Sequence, residues 1–165
     1  MTLYSDFSPD EQQLLRASLE AAAVAISTAS LGRSAETASE GFAAASLVLG
    51  SKAAQVGNTL VSSVILALEE RAREEKPFPD YVKVASAPGA REWALNTLRA
   101  LSVLLDARAT PEEATGYRMW LLDIASATAA AGKEDQGFLG RGGVEINDAE
   151  RAALREIAGV LGVAS

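Results

Sequence analysis

Two stretches of this chain, Ser8-Pro9-Asp10-Glu11 and Thr110-Pro111-Glu112-Glu113, spell the same helix start. In each, a hydroxyl residue precedes a proline, and a glutamate stands three positions after the hydroxyl. The hydroxyl accepts from the third helical N–H, the glutamate reaches back to the N–H of the capping residue, and the proline's fixed φ suits the first helical position. Thr37 with Glu40 and Asn147 with Glu150 repeat the box without the proline. Four such signals commit much of the chain to helices before any apolar pattern is considered.

The apolar pattern agrees. Leu15, Leu19, Ala22 and Ile26 follow the first start at helical spacing, and Gly32 is a natural stop. A second helix is expected over Thr37–Gly50 and a third from about Asn58 to Lys76, ended by Pro77 and Pro79. Leu60, Val61, Val64, Ile65, Leu68 and Ala72 share one face of the third. A fourth helix is expected from about Ala90, with Trp93, Ala94, Thr97, Leu98, Leu101, Leu104 and Leu105 as its core stripe. The fifth runs from Pro111 to Gly132 with Tyr117, Trp120, Leu121, Ile124, Thr128 and Ala131 inward. The sixth is capped by Asn147 and stopped by Gly162. No segment shows convincing period-2 alternation. The expectation is an all-α protein, a compact bundle of about six helices in a single domain over residues 1–165. An echo between AISTASLG (Ala25–Gly32) and ASATAAAG (Ala125–Gly132) is compatible with two related helical halves.

Composition narrows the chemistry. The chain has no histidine and no cysteine, which removes imidazole bases, thiolate nucleophiles, iron–sulfur clusters and nitrogen or sulfur metal ligation. With 15 Lys and Arg against 22 Asp and Glu, the net charge is −7, and such a chain is repelled by phosphate backbones and anionic membranes. Nucleic acid is therefore not an expected partner. Arg71, Arg73 and Lys76 interleave with Glu69, Glu70, Glu74 and Glu75, the pattern of a solvated, ion-paired helix face. The first residues carry no Lys or Arg before Arg16, unlike a secretory or transit segment, and a cytoplasmic location is expected. The longest uncharged run, Ala53–Leu68, is sixteen residues and contains Gln55 and Asn58, so membrane insertion is not expected. Asp123 is flanked by apolar residues but falls at the margin of the Trp120/Ile124 stripe, where an ordinary hydrogen bond or ion pair suits it. No acid–base pair or activated nucleophile is recognisable, so an enzyme is not expected.

The exception to plain helix is GKEDQGFLGRGGVEINDAE, Gly132–Glu150, with five glycines and five acidic residues. Gly137 and Gly142 have the outer spacing of a phosphate loop, but Gly143 and Val144 stand where its lysine and hydroxyl belong. Gly140-Arg141-Gly142 lacks the third glycine of a dinucleotide fingerprint. Glu134 and Glu145 are spaced like the ends of an EF-hand loop, yet Gln136, Phe138 and Leu139 break its pattern. A looser oxygen-ligand site from Glu134, Asp135, Glu145 and Asp148 would favour a hard divalent cation, Ca²⁺, Mg²⁺ or Mn²⁺. The alternative is a solvated acidic turn. Phe138, Leu139, Val144 and Ile146 lead us to expect an ordered loop folded back on the bundle.

The segment GGVEINDAERAALREIAGVLG resembles the second half of TerB-like tellurite-resistance domains, through Glu150, Glu156, Ile157, Ala158, Leu161 and Gly162. That resemblance implies an all-helical fold of two related halves, metal binding through acidic turns, and a part in stress-response complexes. In the family the turn is a short Asp-Gly; here Lys133–Val144 lengthens it, and the first-half turn SLGRSAE has no Asp. The expected function is a soluble helical binding protein of this kind with a protein partner or self-association. The alternative is a scaffold homo-oligomer packing through the alanine-rich faces Ala21–Ala29 and Ala125–Ala131.

Overall fold

The computed structural model describes residues 1–29, 57–74, 88–131 and 148–164. Among these are a single 3₁₀ turn, Tyr4–Asp6, and five α-helices: α1 Pro9–Ser27, α2 Thr59–Arg73, α3 Ala90–Arg108, α4 Pro111–Ala131 and α5 Asp148–Leu161. No strand occurs among the described residues, and the all-α expectation holds. The helix expected over Thr37–Gly50 lies outside the described residues, as does most of the Gly132–Glu150 segment. None of the described helices is long and apolar enough to cross a membrane.

The helix starts are where local chemistry puts them. Ser8 Oγ accepts from Glu11 N–H (3.3 Å), and the Glu11 carboxylate accepts from Ser8 N–H (2.7 Å). Thr110 and Glu113 repeat the exchange at α4, each backbone N–H donating over 3.3 Å to the other's side chain. Asn58 caps α2, its Oδ1 accepting from Val61 N–H at 3.0 Å. At the other end of the chain, Gly162 takes φ 70°, and Val163 N–H and Gly162 N–H donate to Ala158 and Gly159 carbonyls (3.0 and 3.2 Å). This paired closure satisfies orphan carbonyls of α5 and needs a residue that tolerates positive φ.

Helix α1 is the centre of the bundle. It packs most extensively against α3, then α4, with α5 and α2 completing its surround. Its first turns are amphipathic, but every residue from Ser18 to Ile26 is buried. The expected stripe of Leu15, Leu19, Ala22 and Ile26 is inside, and so are the faces between. Alanine at 21, 22, 23 and 25 makes this possible, because small side chains let neighbouring helices approach from all sides. The alanines of the proposed interchain faces are thus largely taken up inside the chain, with Ala125 and Ala129 also at 0% exposure.

Two expected core positions are corrected. Trp93 is 37% exposed, and Leu95 is buried instead. The core line of α3 is Ala90, Ala94, Leu98, Leu101 and Leu105, with Trp93, half-buried Thr97 and half-buried Leu104 along one flank. The opposite flank, carrying Arg91, Leu95 and Ser102, faces α5: Arg91 pairs with Glu156, and Ser102 Oγ donates to Val160 O (3.3 Å). Ala72 is exposed, because the last turn of α2 runs beyond the core as a charged tip where Arg73 pairs with Glu70 at 3.3 Å. In α4, Tyr117, Trp120, Leu121, Ile124 and Thr128 are buried as expected, with Tyr117 and Trp120 edge to face at 5.3 Å.

Candidate functional site

Of the four residues expected to hold a cation, only Asp148 lies among the described residues; Glu134, Asp135 and Glu145 do not. Asp148 is the first residue of α5, exposed, with its carboxylate 3.3 Å from Arg151 one turn on. Among the described residues no group of three or more acidic side chains is close enough to hold a metal ion. Glu150, two residues into α5, is 0% exposed. It lines up with Ala153, Ile157, Ala158 and Leu161 on the buried face, whereas Glu156 and Gly162, which share in the TerB resemblance with Glu150, Ile157, Ala158 and Leu161, are exposed. Asp123 is exposed on α4 and has an interaction partner, in keeping with a boundary residue.

The most elaborate polar arrangement among the described residues lies elsewhere, where the chain's first residues cross the α2–α4 seam. Glu113 is only 8% exposed. One of its carboxylate oxygens accepts from Thr110 N–H and Thr110 Oγ1 (3.3 and 3.0 Å), and the other accepts from Thr2 N–H at 2.8 Å. Burial pushes this carboxyl up, but the hydrogen bonds from Thr2 and Thr110 outweigh it and hold the group below its ordinary value of 4.5. Beside it, Ser63 Oγ on α2 accepts from Tyr4 N–H (2.8 Å). From α1, Gln12 Nε2 donates to the carbonyls of Tyr4 and Phe7 (3.2 and 3.0 Å), and Arg16 donates to the Tyr4 hydroxyl. From α3, Arg108 donates to Asp6 O (2.7 Å) and lies over the Phe7 ring, 5.7 Å from its centroid. Phe7 itself is 4% exposed and joins the core.

Sequence reasoning found half of this. The capping role of Glu113 is written in its distance from Thr110, but nothing local says that its second oxygen receives a residue 111 positions away. The one available signal was the aromatic pair Tyr4 and Phe7 just ahead of a strong helix start.

Deeper in the seam, the Tyr117 hydroxyl is buried and donates to Leu15 O at 2.9 Å, a carbonyl that also receives the Ser18 hydroxyl at 2.7 Å. Burial drives this phenol well above the ordinary tyrosine value, the Ser18 contact opposing it only in part. It is a structural hydrogen bond, held neutral, rather than a proton donor poised for chemistry.

Comparison with family models, with curated proteins and with solved structures gives no match for this chain.

Proposed function

We propose that the chain is a non-catalytic helical binding protein of the TerB-like kind, acting with a protein partner in a cytoplasmic stress response. In this proposal the acidic segment ahead of α5 takes a hard divalent cation through Glu134, Asp135, Glu145 and Asp148. What supports it is the run of acids and glycines that leads directly into α5, where Asp148 stands exposed at the first helical position. Negative charge there is favoured by the positive end of the helix dipole. Glu150, one of the residues that carry the resemblance, is buried on the same turn and has its own interaction partner. The polar groups resolved elsewhere, Glu113 in its cap and Tyr117 on Leu15, are occupied in holding the fold, which suits a binding protein better than an enzyme.

Thermal unfolding of chelator-treated protein against millimolar Ca²⁺, Mg²⁺ and Mn²⁺ tests the reading. An ion at 100 times its dissociation constant adds about 2.7 kcal/mol of stability. A rise of several degrees for one ion, lost in Glu145→Gln or Asp135→Asn, is the expected result. A melting curve unmoved by every ion sinks the cation site.

A further inference from the structure

Residues Thr2–Phe7 lie on the bundle in the way a bound peptide lies on its receptor. Five hydrogen bonds join their backbone to the helices, and in each the helix partner is a side chain: Glu113 and Ser63 accept from Thr2 and Tyr4 N–H, while Gln12 and Arg108 donate to the carbonyls of Tyr4, Asp6 and Phe7. The segment completes its own turn internally, Leu3 N–H donating to Asp6 Oδ2 and Asp6 N–H to Leu3 O (2.8 and 2.9 Å). Its side chains supply two anchors, three positions apart. Phe7 is buried under Arg108, and Tyr4 is half-buried with its hydroxyl on Arg16. The remaining side chains are exposed or half-exposed, and none within the Tyr4–Asp6 turn is buried.

Contacts to main chain accept many sequences, whereas pockets for particular side chains select among them. We propose that the α2–α4 seam, with the first turns of α1 and the end of α3, is a docking groove for a short aromatic-x-x-aromatic segment. In the isolated chain it is filled in cis by Thr2–Phe7, and a protein partner presenting such a segment in trans replaces it. Apart from Phe7, every buried side chain of the core belongs to a helix, and the caps at Ser8 and Thr110 are made within the helices. A tethered segment acts at an effective concentration of order millimolar, so the groove in the unmodified chain is strongly protected against competitors. This inference does not rest on the cation reading.

The test uses the full chain with its own segment weakened by Tyr4→Ala and Phe7→Ala, titrated with a C-terminally labelled peptide MTLYSDFS and followed by fluorescence anisotropy. The variant is expected to bind the peptide at least tenfold more tightly than the unmodified chain does. Ser63→Ala added to the variant should weaken binding severalfold, and a peptide with both aromatics replaced by alanine should not bind. A variant with unchanged far-UV dichroism that binds no better than the unmodified chain overturns the proposal, as does equal binding of the alanine peptide. If the loss of Phe7 unfolds the chain, Thr2→Pro with Tyr4→Ala removes the Glu113 contact and one anchor while sparing the core, and carries the same expectation. If that variant also unfolds, the segment is part of the fold and no groove exists. A dimer of the unmodified chain that Tyr4→Ala dissolves would put a second copy's segment in the seat, and the partner proposal would fall.

Discussion

Gly116, in the second turn of α4, lies against the side-chain amide of Asn58, the residue that caps α2. A β-carbon at Gly116 would fall inside the van der Waals envelope of Asn58 Nδ2, which donates to Glu113 O at 3.1 Å. In a free helix, replacing Gly with Ala gains roughly 1 kcal/mol. Here the methyl would push Asn58 off both its partners, and an N-cap alone is worth about 0.5–2 kcal/mol, with the partly buried contact to the Glu113 carbonyl in addition. Gly116→Ala should therefore lower stability by about 1 kcal/mol. In an Asn58→Ala background the same change should raise it, and chemical denaturation of the four chains of this cycle would expose the reversal of sign.

Glu113 ties three things together: the start of α4, the Thr2 backbone and the α2–α4 seam. Its carboxyl titrates below 4.5 in the folded chain, so the stability it contributes is fully present above that pH. It is lost as pH falls through the depressed folded value. Glu113→Gln offers an amide N–H₂ where donors from Thr110 or Thr2 already point, and should cost about 1–3 kcal/mol at neutral pH. It should also flatten the acid limb of a stability profile measured from pH 7 to pH 3. An acid limb identical to that of the unmodified chain would contradict the assignment.

At the alkaline end the governing group is Tyr117. Unfolded tyrosine ionises near 10.0, whereas the buried phenol stays neutral, so the unfolded chain binds fewer protons above that pH and is favoured. Each pH unit above 10 should remove about 1.4 kcal/mol. Tyr117→Phe should abolish this slope. At pH 7 it should cost only about 0.5–1.5 kcal/mol, because Leu15 O keeps its hydrogen bond from Ser18.

Helix starts were legible because capping is local. Ser8 and Glu11, or Thr110 and Glu113, need only each other, and no distant element can alter that grammar. The inward face of α3 was legible to within a flank. Spacing locates the line through Ala94, Leu98, Leu101 and Leu105, but Trp93 and Leu95 stand on opposite sides of it, and only the approach of α5 decides which is covered. The burial of α1 on every face was hidden for a related reason. Alanine is neutral in any stripe, and its meaning depends on whether helices arrive from two sides or four. Of the candidate ligands, Asp148 stands at the start of α5, where the Asn147 cap puts it, and is paired with Arg151; Glu134, Asp135 and Glu145 lie outside the described residues. The seat of Thr2–Phe7 was out of reach, since it joins residues brought together only by the finished bundle.

The centre of α1 offers the sharpest test of how the bundle is assembled. Ala23 is at 0% exposure within a run where Ala22 and Val24 are also wholly buried, so no direction is open for a larger side chain. Inserting methylenes into a filled core costs about 1–3 kcal/mol through displaced rotamers and backbone. Ala23→Leu should lower the unfolding midpoint of the single chain, and the shift should be the same at every protein concentration. Were these alanines instead the contact between copies, the substitution would act on association, and the midpoint would move with concentration. Thermal melts of both chains at micromolar and at hundred-fold higher concentration separate the two, because only the interchain arrangement couples folding to mass action.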